Sequence, residues 1–202
     1  MKKHIIVSLL SILMFASCKD MDYDLQQSVF IEDPVYPGLP EYSEWGYNTF
    51  GAYIDRKPFT SNNRDLPAKI IVNDDTLNLQ LAGTMGGESM NMKFSFIGYP
   101  VPDYDGLTEL NGQTFDLTSE QCIVSLTRNG IVETLDVFEG TFAVQSVQNL
   151  VVDGELIKSI LSGRFSFKTF INREPTAIAN GRFDLGIGYD SFYNFRRRII
   201  FD

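Results

Sequence analysis

Met90-Asn91-Met92-Lys93-Phe94-Ser95-Phe96-Ile97 and, just before it, Thr76-Leu77-Asn78-Leu79-Gln80-Leu81-Ala82 are the two runs that decide the fold. In each, apolar and polar residues alternate strictly. Successive side chains of a strand point to opposite faces, so Leu77, Leu79 and Leu81 share one face and Asn78 and Gln80 the other. The second run repeats this with Met90, Met92, Phe94 and Phe96 set against Asn91, Lys93 and Ser95. A sheet buried on one face only reads this way, and such sheets are antiparallel.

Working outward, further runs of this kind are separated by turn residues. Residues 47–54 predict a first strand, followed by the polar turn Asp55-Arg56-Lys57. Residues 69–73 pair with 76–82 across Asp74-Asp75. More strands are predicted at 113–117, 121–127, 131–138, 140–148, 149–152, 155–157, 161–171, 176–187 and near 192–201. Asn129-Gly130 and Asp153-Gly154 are tight-turn signals. No segment after residue 47 sustains a helical period; the best helix candidate, 155–161, is short and soon followed by Gly163. About ten short strands imply an all-β antiparallel sandwich or barrel-like domain. Gly140-Thr141-Phe142, Gly163-Arg164-Phe165 and Gly181-Arg182-Phe183 share a Gly-x-Phe pattern. We expect it at strand starts, the glycine permitting a bulge or close backbone approach and the aromatic pointing inward.

Composition agrees with this fold. The 202-residue chain is 44% hydrophobic and 13% aromatic, enough apolar material for one real core and rich in strand formers. Its single histidine is His4, at the head of a signal-like segment. A chain processed after residue 17 therefore has no imidazole for a nucleophilic triad, a general base or a His-built zinc site. Processing removes two lysines and no acid, so the net charge goes from −9 to −11. Phosphate backbones and anionic headgroups repel such a chain, which argues against nucleic acid as a partner.

The N-terminus carries its own message. Met1-Lys2-Lys3-His4 is a positive leader and residues 5–15 are apolar apart from two serines. That length is too short to span a bilayer and right for a signal peptide. Phe15-Ala16-Ser17-Cys18 resembles the lipobox of bacterial lipoproteins, which implies cleavage after residue 17 and acylation of Cys18. The following Lys19-Asp20-Met21-Asp22-Tyr23-Asp24 resembles the surface-export signal of Bacteroidetes lipoproteins; a solvated tether is its plainer reading. The expected division is a signal peptide (1–17), a lipidated cysteine with an acidic, proline-containing tether (18–44) and a single β domain (45–202). Two or more acyl chains would hold the protein firmly on the outer membrane without spanning it, facing the cell exterior.

Tyr47-Asn48-Thr49-Phe50-Gly51-Ala52-Tyr53-Ile54, continuing to Phe59, and the 163–185 stretch with Ala179-Asn180-Gly181-Arg182-Phe183-Asp184 resemble the opening and closing segments of small Bacteroidetes outer-membrane lipoproteins of uncharacterised function. The resemblance implies location and fold and brings no chemistry. Residues 188–202 extend beyond its closing pattern.

Chemistry-bearing residues are few. Asp103 with Asp105, or Glu133 with Asp136, could be nominated as a carboxylate pair for glycoside hydrolysis. Asp103, Asp105 and Glu109 could also suggest calcium, but lack the spacing of an EF-hand loop. Loop aspartates are equally explained by turn geometry. Exposed aromatics argue for binding: Trp45, Tyr99 and Tyr104 are the candidates for stacking on a ligand. Trp45 could instead staple the tether to the first sheet. Arg196-Arg197-Arg198 could recognise an anion or protect a sheet edge. Cys122, in an apolar strand, reads as a small core residue. Nothing calls for a cofactor or a metal. The expectation is a surface-anchored binding module for a glycan or an outer-membrane protein partner, with a ligand-free accessory protein as the alternative and a carboxylate hydrolase third.

Overall fold

The computed structural model describes residues 27–61 and 65–195. The signal segment, Cys18, the acidic run 19–24 and Arg196–Arg198 lie outside the described residues. Twelve strands follow one another: β1 (Thr49–Ile54), β2 (Lys57–Thr60), β3 (Ala68–Asn73), β4 (Thr76–Met85), β5 (Glu88–Ile97), β6 (Thr114–Asp116), β7 (Cys122–Arg128), β8 (Ile131–Leu135), β9 (Val137–Val152), β10 (Glu155–Ile171), β11 (Glu174–Ile187) and β12 (Phe192–Asn194). Two short 3-10 turns, Asp105–Leu110 and Tyr189–Ser191, complete the described secondary structure.

The hydrogen-bonded order is β6-β9-β10-β11-β1-β2-β4-β5-β7-β8, with β3 on β4 and β12 on β3. Every pairing is antiparallel except β12 with β3. Two-residue turns drive the hairpins. Both residues of Asp55-Arg56, Gly86-Gly87, Asn129-Gly130, Asp153-Gly154 and Asn172-Arg173 have positive φ. Turns of that hand match the strand twist. The sheet folds over itself, so the Phe94 ring of β5 meets Phe142 of β9 at 4.8 Å and Phe165 of β10 at 5.1 Å. The architecture is the all-β, antiparallel, sandwich- or barrel-like domain expected.

The apolar faces behave as read, with Leu77, Leu79, Leu81, Met92, Phe94 and Phe96 all buried. On the other face, however, Asn78 and Ser95 are buried too, the Ser95 hydroxyl donating to Asn78 Oδ1. Four expectations are corrected. Residues 140–152 form one strand within β9 rather than two, and the short helix candidate at 155–161 is the start of β10. That stretch is hydrogen-bonded to β9 throughout and, from Ser159, to β11 as well, and ladders on two sides outweigh a weak helical period. The Gly-x-Phe glycines lie within strands and not at their starts. Gly140 faces Phe167, Gly163 faces Phe183, and Gly181 faces Phe165 on the neighbouring strand. A Cβ on Gly163 would come within 2.1 Å of the Ala143 carbonyl and 2.5 Å of the Phe183 ring. Each glycine thus makes room for a phenylalanine opposite, which explains the echo without an internal repeat.

The fourth correction concerns the tether. Its described part, residues 27–44, is packed, not free: together with residues 45–48 of the expected domain it forms a strap over the outer face of β1, β10 and β11. Leu39 is wholly buried. Pro40 lies so close to Gly51 that a Cβ there would come within 2.4 Å of its ring. Arg182 of β11, only 2% exposed, forms an ion pair with Asp33, lies 4.6 Å over the Tyr36 ring and donates to the Pro40 carbonyl. Arg164 covers Tyr42 at 4.2 Å. The buried Asp184 carboxylate accepts from the Ser43 hydroxyl and from the backbone N–H groups of Trp45, Gly46 and Tyr47.

Candidate functional site

The strongest candidate site is built by residues 188–195. Past β11 the chain turns through Tyr189–Ser191. Ser191 Oγ accepts from the Gly188 N–H at 3.0 Å and closes that turn. β12 then lies parallel to β3, placing Phe192 beside Ile70, Tyr193 beside Ile71 and Asn194 beside Val72; the Phe195 N–H reaches the Val72 carbonyl at 2.8 Å. Strand alternation sends Phe192 against the core and puts Tyr193 and Phe195 on one outer face. Their rings are 6.4 Å apart and within 5° of parallel. Phe195 is 63% exposed and Tyr189 84%.

This platform is held from behind. The Tyr193 hydroxyl donates to the Asp190 carbonyl at 2.8 Å, and the Asn194 amide donates to the Pro102 carbonyl at 2.8 Å. Three hollows surround it and share Asp190. One of about 220 Å³ is walled by Asp65, Lys69, Gln80, Asn91 and Tyr193. One of about 230 Å³ includes Lys158, Gly186 and Tyr189. The third, about 320 Å³, runs between Tyr189 and the Tyr193–Phe195 pair. Parallel rings beside amide, ammonium and carboxylate side chains suit a ligand with flat C–H faces and many hydroxyls. Rings fixed before binding lose little freedom when it occurs.

The residues picked from sequence fall elsewhere. Trp45 is 76% exposed, so its ring does not staple the strap; its backbone N–H does that, through Asp184. Trp45 lines none of the three hollows. Tyr99 and Tyr104 are half-buried, packed against the core. Tyr99 lies edge-on to Phe115 at 5.0 Å, and the Tyr104 hydroxyl donates to the Leu156 carbonyl. Buried Val101, Leu107 and Leu110 draw their loop onto the core and take both rings with them. The aromatics that do form a surface belong to Tyr189-Asp190-Ser191-Phe192-Tyr193-Asn194-Phe195. The i, i+2 spacing of Tyr193 and Phe195 was the available signal.

Of the nominated carboxylates, Asp103 accepts from the Gly106 N–H, as turn-shaping loop aspartates do, and Asp105 accepts from the Asn149 amide of β9, which ties the loop to the sheet. Among the described residues, no three Asp, Glu, Cys or His side chains converge as a metal site would need. Cys122 is half-buried at the edge of the core, and burial, then the charge of Asp116, push its thiol pKa up. It therefore stays protonated and weakly nucleophilic at neutral pH. No helix among the described residues is long and apolar enough to cross a membrane. Compared with protein-family models, with curated proteins and with solved structures, the chain has no significant match in any of the three.

Proposed function

We propose that this protein is a lipid-anchored surface module of the bacterial outer membrane that binds carbohydrate through the cleft around Tyr189, Tyr193 and Phe195. The anchor is Cys18, on the strength of the lipobox-like Ala16-Ser17-Cys18 and the signal segment before it. The observation that carries the binding reading is the parallel Tyr193–Phe195 pair beside a hollow lined by Lys69, Gln80, Asn91 and Asp190. The rings would receive the C–H face of a sugar, and the polar side chains its hydroxyls. Affinity electrophoresis through gels containing soluble polysaccharides tests this. Retardation by at least one polysaccharide, lost in Tyr193→Ala and Phe195→Ala, is expected. Equal mobility of the three proteins in every gel would sink the reading.

A second reading, a protein partner in the envelope, rests on β8. This strand is the last in the hydrogen-bonded path and exposes Ile131 and Val132 at 73% and 64%. An open, apolar edge is where another chain's strand can add. Lysine at Val132 would abolish co-purification of such a partner and leave polysaccharide retention intact.

A further inference from the structure

The route by which the chain reaches the domain says where the cleft must face. Gln27 makes an antiparallel bridge to Asp65, and its carbonyl accepts from the Asn48 amide at 3.1 Å. The same Asn48 accepts through Oδ1 from the Gly186 N–H at 2.8 Å. Asp65 walls the first hollow and Gly186 the second. Gln27 therefore sits on the rim of the aromatic cleft, not at its opposite end.

Only eight residues, 19–26, separate Cys18 from Gln27. Nine Cα–Cα steps reach at most about 30 Å when fully extended. A domain of this size is roughly 40 Å across. Lys158, on the wall of the second hollow, and the Asn172-Arg173 turn stand at opposite ends of β10, about 40 Å of strand apart. An anchor at Cys18 holds the cleft within reach of the headgroups and points that turn away.

Resting on the anchor and the carbohydrate reading together, we infer that the cleft takes a saccharide that is itself membrane-borne: the neutral sugar headgroup of a glycolipid in the same leaflet. Two features select this class. A short tether raises the effective concentration of a ligand in the same membrane and does nothing for a polymer in solution. The net charge of −11 after processing, from 15 basic and 26 acidic residues, disfavours an anionic headgroup. Tyr193 and Phe195 would lie against the sugar ring, with Lys69, Gln80 and Asn91 reaching its hydroxyls.

The test uses the full lipidated chain in phosphatidylcholine vesicles that carry a headgroup-linked energy-transfer acceptor. With Cys122→Ala as background, a donor fluorophore is placed at Glu155→Cys, exposed at the cleft end of β10 and outside all three hollows, or at Arg173→Cys. Transfer from the cleft label is expected to exceed that from the turn label by about twofold or more, because the tether limits only the former. Equal or reversed transfer overturns the inference. Adding a neutral diglycosyl diacylglycerol should then raise transfer from the cleft label, and Tyr193→Ala should cancel the rise. An unchanged signal combined with retardation by soluble polysaccharide also overturns it, while leaving the carbohydrate reading standing. Failure of the protein to float with vesicles would instead refute the anchor itself.

Discussion

Two stretches of chain lie outside the stack of hairpins, and they treat their aromatic rings in opposite ways. The strap, residues 27–48, spends two of its rings as fasteners, although Phe30 and Trp45 stay exposed. Tyr36 lies under Arg182, and Tyr42 lies under Arg164 while donating to Glu44. Burial, then that Glu44 carboxylate, push the Tyr42 phenol well above its ordinary range. The segment 188–195 is fixed mainly by its backbone and by small polar contacts, and leaves the Tyr189, Tyr193 and Phe195 rings open. A ring used as a fastener is unavailable to a ligand. A ring whose strand is fastened instead can present its face at little entropic cost.

The comparison can be broken most severely at Asp184. Asp184→Ala would leave the N–H groups of Trp45, Gly46 and Tyr47 without their acceptor; a loss of about 3–5 kcal/mol in denaturant unfolding is expected. Arg182→Met strands the partly buried Asp33 and should cost about 2–4 kcal/mol. Adding Asp33→Asn should recover part of this, a coupling that a double-mutant cycle measures.

Acid is a milder probe. Burial works to raise the Asp33 pKa, but the Val35 N–H, the Arg182 guanidinium and the Tyr36 N–H outweigh it, and the net shift is downward. The unfolded chain therefore takes up this proton first. The contribution is complete above the ordinary aspartate pKa of about 4 and is lost as pH falls through the lower folded value. Chemical unfolding from neutral to strongly acidic pH should show a shallower acid loss in Asp33→Asn.

On the other side of the comparison, Tyr193→Ala should change stability by less than about 1 kcal/mol, since its face is open, yet remove polysaccharide retention. Trp45→Ala is the smallest perturbation. Its ring is largely exposed and lines none of the three hollows around the platform, so unfolding midpoint and retention should both match the unsubstituted protein.

Most strands were legible because their cause is local. Asn129-Gly130 and Asp153-Gly154 carry the dihedral preferences of their turns in their own side chains, and the 76–82 and 90–97 alternations carry their faces. The strap was not legible. Pro34, Pro37 and Pro40 break any period, and the groups that hold this segment down, Arg182 and Asp184, lie 137 to 149 positions away from their partners. The same limit hid the packing of Tyr99 and Tyr104. A Pro- and Asp-rich loop reads as exposed until Val101, Leu107 and Leu110 are seen to seat it on the core.

The absence of imidazole beyond His4, the two-residue turns and the period-two faces are properties of neighbouring residues, and the sequence alone determined them. Tertiary structure decided which aromatics are fasteners and which form a surface. Burial depends on what lies across the sheet, and no spacing along the chain records that. It also brought Gln27, Asp65 and Gly186 to one rim, residues that nothing in the chain's spacing sets together.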